Sequence, residues 1–243
     1  MVAETPRYPM ALCFSKESDA RFLGHLDFSR LLERALRRSA LPLRSTQGFN
    51  PRLKVAFADA LPLGIASSGE WLTVTLDEDL DPALVAERLR ATLPENVRLV
   101  AVQRGPAPSA PGRVRYSLEL AEEPGSAADA LTELLKRDHF PVEDARGRTV
   151  DARALLARGE ARGGRLLVEL VALNDRPPRP APVALALRRL AEEAGRRPPV
   201  FGTFTKADGP ARQGEDAWDD VAGADSIAVR AAAVVVEAEP AGC

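Results

Sequence analysis

Four arginines carry the clearest chemical signal in this sequence of 243 residues. Arg30, Arg34, Arg37 and Arg38 fall at i, i+4, i+7 and i+8 of a stretch with helical periodicity. At about 100° per residue they share one face, while Phe28, Leu31, Leu32 and Ala35 share the opposite one. Neighbouring guanidiniums repel by a few tenths of a kcal/mol per pair, roughly, and Glu33 relieves only part of that. Planar guanidinium forks suit phosphates and carboxylates alike. The pattern therefore describes either a docking face for an anionic partner or a plain solvated surface. Arg21 lies just upstream, and a loop rich in Gly, Asn and Pro lies downstream. That loop, TQGFNPR at 46–52, offers Gln47, Gly48 and Asn50 beside Arg52 and Lys54. Gly48 and Asn50 are suited to positive φ, whereas Pro51 pushes Asn50 toward extended backbone. The same residues also describe an ordinary turn between two strands.

His25 and Asp27 form the one acid–base candidate, with His25 as a possible general acid or base. The competing reading has His25 bonding backbone at a helix entrance while Asp27 caps the helix. No serine or cysteine nucleophile sits in a recognisable motif. The chain lacks GxxxxGK[ST], GxGxxG and CxxxCxxC, so no nucleotide fold or iron–sulfur cluster is indicated. Two cysteines and two histidines are too few for a conventional zinc site or a disulfide framework. No catalytic residue, metal or cofactor is assigned.

Composition narrows the partners. The formal charge is −2, from 33 Lys+Arg against 35 Asp+Glu. That total averages unlike regions. Residues 21–54 hold eight basic and two acidic side chains, a net of +6, and residues 208–243 hold two basic and eight acidic, a net of −6. No apolar run is long enough to span a membrane, and the first residues carry no signal-peptide pattern, so a cytoplasmic protein is expected.

The elements that must position these residues follow from periodicity and turn chemistry. RGPAPSAPG at 104–112 interrupts any helix or sheet. It divides the chain into an N-terminal half (1–104), a linker (105–112) and a C-terminal half (113–243). The first half reads as a strand at 10–14, a helix at 27–39, short strands at 43–45 and 53–58, a strand at 70–76, a helix from Asp81-Pro82 to about residue 93, and a strand at 97–103. The second reads as strands at 114–120, 140–145 and 165–173, helices at 126–137 and 182–194, and a strand at 229–237. His139 is expected at a helix end, and Asp151 and Arg153 at a turn or strand edge. The rhythm predicts an α+β fold of two ferredoxin-like (split βαβ) halves, with antiparallel sheets and helices packed on one face.

Residues 21–70 resemble the radical-SAM-associated (radical-SAM-linked) bacterial proteins, domain of unknown function 2344. The matching strings are RFLGHLD at 21–27, RALRR at 34–38, LPL at 41–43, QGFNPRLKVAFADALPLG at 47–64 and SSGEWLTVTL at 67–76. VDARALL at 150–156 and the proline-rich stretch before residue 182 are weaker landmarks. Gly24 and Arg52 depart from the serine and histidine more usual there, and the family's late arginine-containing strand has only Arg230 as a candidate. The resemblance implies a companion of a radical-SAM enzyme, which itself would carry the iron–sulfur chemistry. It also implies a setting among RNA-processing genes. The expectation is an auxiliary protein that binds or presents RNA through Arg21, Arg30, Arg34, Arg37 and Arg38, with Gln47, Gly48, Asn50, Arg52 and Lys54 shaping an adjacent cleft. The alternatives are an adaptor docking an acidic protein surface, or metal-free RNA cleavage using His25.

Overall fold

Alternation along YPMALCFSK puts Met10, Leu12 and Phe14 on one side of strand β1 (Tyr8–Lys16), where all three are buried. Helix α1 (His25–Arg38) lays Phe28, Leu32, Ala35 and Leu36 onto that side. Strands β2 (Val55–Phe57) and β3 (Ile65–Leu76) follow, then α2 (Pro82–Arg90) and β4 (Leu99–Arg104). Leu72, Val74 and Leu76 of β3 and Val85 and Leu89 of α2 complete the same core, so both helices cover one face of the sheet. Full burial of each such aliphatic side chain stabilises the fold by about 1.5–3 kcal/mol.

This computed structural model describes residues 6–108, 112–121, 125–144, 146–173 and 177–207. The chain forms two units, Met1–Ala110 and Pro111–Cys243. In the first, β1 pairs with β3 and β4, and β2 pairs with β3, all antiparallel. The strand order is thus β4-β1-β3-β2.

The second unit begins with β5 (Arg113–Leu120) and α3 (Gly125–Lys136). A small hairpin of β6 (Pro141–Glu143) and β7 (Thr149–Asp151) and a single turn, α4 (Ala152–Leu155), come next. Then follow β8 (Leu156–Arg162), β9 (Arg165–Val171), α5 (Ala181–Glu193) and β10 (Phe201–Lys206). The pairing gives β10-β5-β9-β8, again antiparallel. With the hairpin and α4 set aside, this is the order of the first unit. The architecture is α+β with antiparallel sheets.

Several expected boundaries move. The helix expected at 27–39 starts at His25, because backbone makes its first bond: Phe28 N donates to Gly24 O at 2.9 Å. Asp27 does not cap it, and Gly24 at the N-cap position contributes no side chain. Ser39 closes the helix instead, its hydroxyl donating to Leu36 O at 2.7 Å. Of the strands expected at 43–45 and 53–58, only Val55–Phe57 is regular, and Leu43, Ser45 and Leu53 make isolated bridges. The strand expected at 140–145 shortens to Pro141–Glu143. Strands β7, β8 and β10 and the turn α4 form where the sequence pattern predicts no element. The strand expected at 229–237, Arg230 and the acidic segment 208–243 lie outside the described residues, as do residues 109–111 of the linker.

His139 is not at a helix end. Its Nδ1 lies 2.8 Å from Asp151 Oδ2, and Asp151 also accepts from Phe140 N and Arg153 N at 3.0 Å and from Ala154 N at 3.2 Å. Burial raises the Asp151 carboxyl, but these donors outweigh it and hold the group below its ordinary value.

Two measurements test this packing. Leu32→Ala empties a fully buried site and lowers unfolding free energy by about 2–5 kcal/mol in urea titrations. Asp151→Ala leaves backbone donors without a partner and costs about 1–3 kcal/mol. Because the folded Asp151 value is depressed, its stabilisation is present above the ordinary value of 3.8 and fades as pH falls through the folded one. The acid limb of the stability–pH curve is correspondingly shallower in the variant.

Candidate nucleic-acid interface

The end of β1 fixes the segment that carries the site. Lys16 is 1% exposed, and its Nζ donates to Leu23 O at 2.8 Å. The ammonium also lies 5.7 Å from the centroid of the Phe28 ring. Opposite it, the first half of β3 carries Ser67 and Glu70, both buried. Lys16 pairs in register with Ser67, and Phe14 with Glu70. Ser67 Oγ donates to Glu70 Oε1 at 2.6 Å and accepts from Gly69 N at 3.2 Å. Burial pushes the Lys16 ammonium below its ordinary value, and the charge of Glu70 opposes that shift. Lys16, Ser67 and Glu70 were not singled out in the sequence. A lysine ending an apolar strand and a glutamate opening an alternating one were the only available signals.

These contacts pin residues 18–24, a short 3-10 turn (Ser18–Phe22) and its exit, against the sheet. Gly64 N donates to Arg21 O at 2.8 Å, so the chain entering β3 is tied to the same turn. The strings RFLGHLD and LPLG thereby meet. Arg21 holds its guanidinium 4.6 Å from the Phe22 ring centroid. Phe22, Leu26 and Leu63 are 58%, 69% and 65% exposed.

Along α1, Arg30, Arg34, Arg37 and Arg38 are all exposed. Arg30 Nη1 lies 3.4 Å from Asp27 Oδ1, a distance at which the ion pair is loose. Arg38 is engaged by the fold, donating to Thr92 O at 2.8 Å. Arg34 and Arg37 have no hydrogen-bond or ion-pair partner among the described residues. A stripe of Leu26, Arg30, Arg34 and Arg37 results, roughly 16 Å long at 1.5 Å per residue.

The downstream loop does not join that stripe in one cleft. Thr46 N donates to Arg52 O at 2.7 Å, and Arg52 N donates to Thr46 Oγ1 at 3.0 Å, closing residues 46–52 on themselves. Gln47, Gly48 and Asn50 are exposed there. Gly48 takes φ +134°, as expected for glycine, but Asn50 does not adopt positive φ. Leu53, Val55 and Phe57 pack toward the core that α1 covers. Arg52 and Lys54 alternate with them and are exposed, so their side chains leave on the other side of the chain. His25 stands edge-on to Phe57 at 5.0 Å between ring centroids, and the nearby Asp27 carboxylate belongs to Arg30. The His25–Asp27 pair does not form.

Among the described residues, no group of three or more His, Cys, Asp or Glu side chains could hold a metal ion. No described helix is long and apolar enough to cross a membrane.

A family model described as an uncharacterised protein conserved in bacteria, DUF2344, matches residues 10–178. No curated protein matches. Among solved structures, the chain is similar to an unknown protein from Galdieria sulphuraria at 16% identity, covering 83% of this chain and 99% of that one, with a TM-score of 0.25. A likeness that weak carries no argument about either fold or role.

The buried lysine is testable by itself. Lys16→Met removes the donor to Leu23 O and the charge that attracts Glu70, and costs about 1–3 kcal/mol in chemical denaturation. The double variant Lys16→Met/Glu70→Leu removes both charges and costs less than the single one. In the wild type the folded Lys16 value is lowered, so the unfolded chain binds that proton more tightly. Stability therefore rises with pH between the folded value and 10.5, a slope that Lys16→Met removes.

Proposed function

The chain belongs to DUF2344, a family of uncharacterised bacterial proteins, and from that premise we propose that it is a non-catalytic auxiliary protein that holds RNA on helix α1. The observation that carries the reading is the exposed stripe of Arg30, Arg34 and Arg37, two of whose guanidiniums have no partner among the described residues. Guanidinium forks with no internal carboxylate to satisfy them are available for phosphate oxygens. Arg38 contributes charge but is held by Thr92, and Arg52 and Lys54 lie on a separate surface. In this reading the RNA is presented to a radical-SAM enzyme in the cytoplasm, the partner that supplies the chemistry. His25 has an aromatic neighbour rather than a carboxylate and takes no acid–base role. Each unit is read as a ferredoxin-like (split βαβ) fold, supported by the repeated strand order with the first strand between the last and the third.

The test is a salt titration of binding to a labelled RNA between about 50 and 200 mM salt. Replacing Arg30, Arg34 and Arg37 by alanine removes three phosphate contacts. The slope of log affinity against log salt falls by about 2 if the RNA is single-stranded. Unchanged affinity and slope sink the proposal. Binding of an acidic protein that survives nuclease treatment and is lost in the same variant moves the face to the adaptor reading.

A further inference from the structure

The basic stripe ends on an apolar platform, and the two together specify the form of the ligand. Phe22 is 58% exposed at the end of its turn, although an aromatic ring is one of the most favourable groups to bury. It does not hang loose. Lys16 holds the next carbonyl, that of Leu23, and the Arg21 guanidinium lies 4.6 Å from the Phe22 ring. Leu63, also exposed, immediately precedes Gly64, whose N donates to Arg21 O, and exposed Leu26 begins the stripe on α1. This segment therefore offers an exposed aromatic ring on a tethered turn, with a guanidinium against it and two exposed leucines on the segments bonded to that turn. Arg30, Arg34 and Arg37 lead away from this platform along α1. A duplex offers phosphates to such a surface but keeps its bases stacked inside. A single strand offers both phosphates and open base faces, and those faces stack on aromatic rings and arginine planes.

We propose that this surface binds single-stranded RNA, with an unpaired base seated on Phe22 and Arg21 between Leu26 and Leu63 while the adjoining phosphates run along Arg30, Arg34 and Arg37. The proposal rests on the RNA reading above and adds the strandedness and the base seat. The charge of the stripe favours this occupant, because its successive arginines are about one helical turn apart, a spacing comparable to that of phosphates along an extended strand.

The probe is a fluorescein-labelled oligouridylate of about twelve nucleotides, with a duplex of the same length as comparison, followed by fluorescence anisotropy. Phe22→Ala is expected to weaken oligouridylate binding by about fivefold to a hundredfold and to leave the salt slope unchanged. Phe22→Tyr keeps the ring and restores binding. The duplex binds more weakly than the single strand and is indifferent to Phe22→Ala. Phe22 is largely solvent-exposed, so the variant folds, which its circular dichroism and urea midpoint verify. If Phe22→Ala binds like the wild type, or the duplex binds as tightly as the single strand, this inference falls while RNA binding stands. If the arginine triple variant also binds oligouridylate unchanged, the RNA reading falls with it. If a polyglutamate peptide binds as tightly as oligouridylate and is equally weakened by Phe22→Ala, the surface belongs to an acidic protein and the inference is overturned.

Discussion

The buried ammonium of Lys16 is the contact from which the arrangement of the first unit follows. A charge in an apolar interior is tolerated only when it is bonded and balanced, and here the Leu23 carbonyl bonds it and Glu70 balances it. The carbonyl belongs to the segment before α1, and Glu70 lies within β3. Satisfying one side chain thus fixes both segments to the end of β1. Ser18 opens the intervening turn at φ +43°, a conformation few non-glycine residues adopt. The contacts at Lys16 and at Arg21 O help hold the chain in that turn. They also decide how α1 is launched, and so where Phe22, His25 and the arginine stripe stand.

Helix α1 divides its labour by angle. Its buried side is committed to Phe28, Leu32, Ala35 and Leu36, which leaves the opposite side for the arginines. The same pleat logic acts on the segment leading into β2, with the reverse consequence. Leu53, Val55 and Phe57 take the core side, and Arg52 and Lys54 are thrown outward. Two basic segments that are close in sequence thereby become separate surfaces. The exposed arginines of α1 form a stripe along a helix, and the charged residues beside the glycine-containing loop leave on the other side of their own segment.

What was legible in the sequence is what local periodicity determines. The apolar face of α1, the alternation in β3 and the Asp81-Pro82 start of α2 each express one element's own pattern, and Asp81 Oδ1 does accept from Ala83 N at 2.7 Å. Strand β8, LARGEAR, was not legible, because its charged and glycine-containing pattern is strand only by virtue of pairing with β9. Gly159 within it sits against buried Leu131: a Cβ there would lie 2.7 Å from Leu131 Cδ1, so a larger residue makes that side chain shift. Strand β10, FGTFTK, is likewise held by pairing, its partner β5 lying more than eighty positions earlier in the chain. The arginines of the stripe were identifiable from spacing alone. The exposed set of Phe22, Leu26 and Leu63 was not, because the hydrogen bond from Gly64 to Arg21 joins residues 43 positions apart in sequence.

An arginine-rich composition does not by itself make a binding surface, and the second unit supplies the comparison. There, Arg113 and Arg115 pair with Glu169, Arg137 with Glu133, Arg148 with Asp144, and Arg196 with Asp129. Arg153 donates to the carbonyls of Arg137 and Leu156. The pairing leaves a physical signature: the Arg148 hydrogen bonds pull the Asp144 carboxyl down to about 2. Each of these guanidiniums has an internal partner, so little of its hydrogen-bonding capacity is left for an outside anion. On α1 the distribution differs. Glu33 and Asp27 are the only acids on a helix that presents four arginines, and Arg34 and Arg37 are left without partners among the described residues. The same residue type is thus internal bonding at these positions and open valence at Arg34 and Arg37. That contrast, rather than the count of basic residues, sets the stripe of α1 apart from the paired arginines.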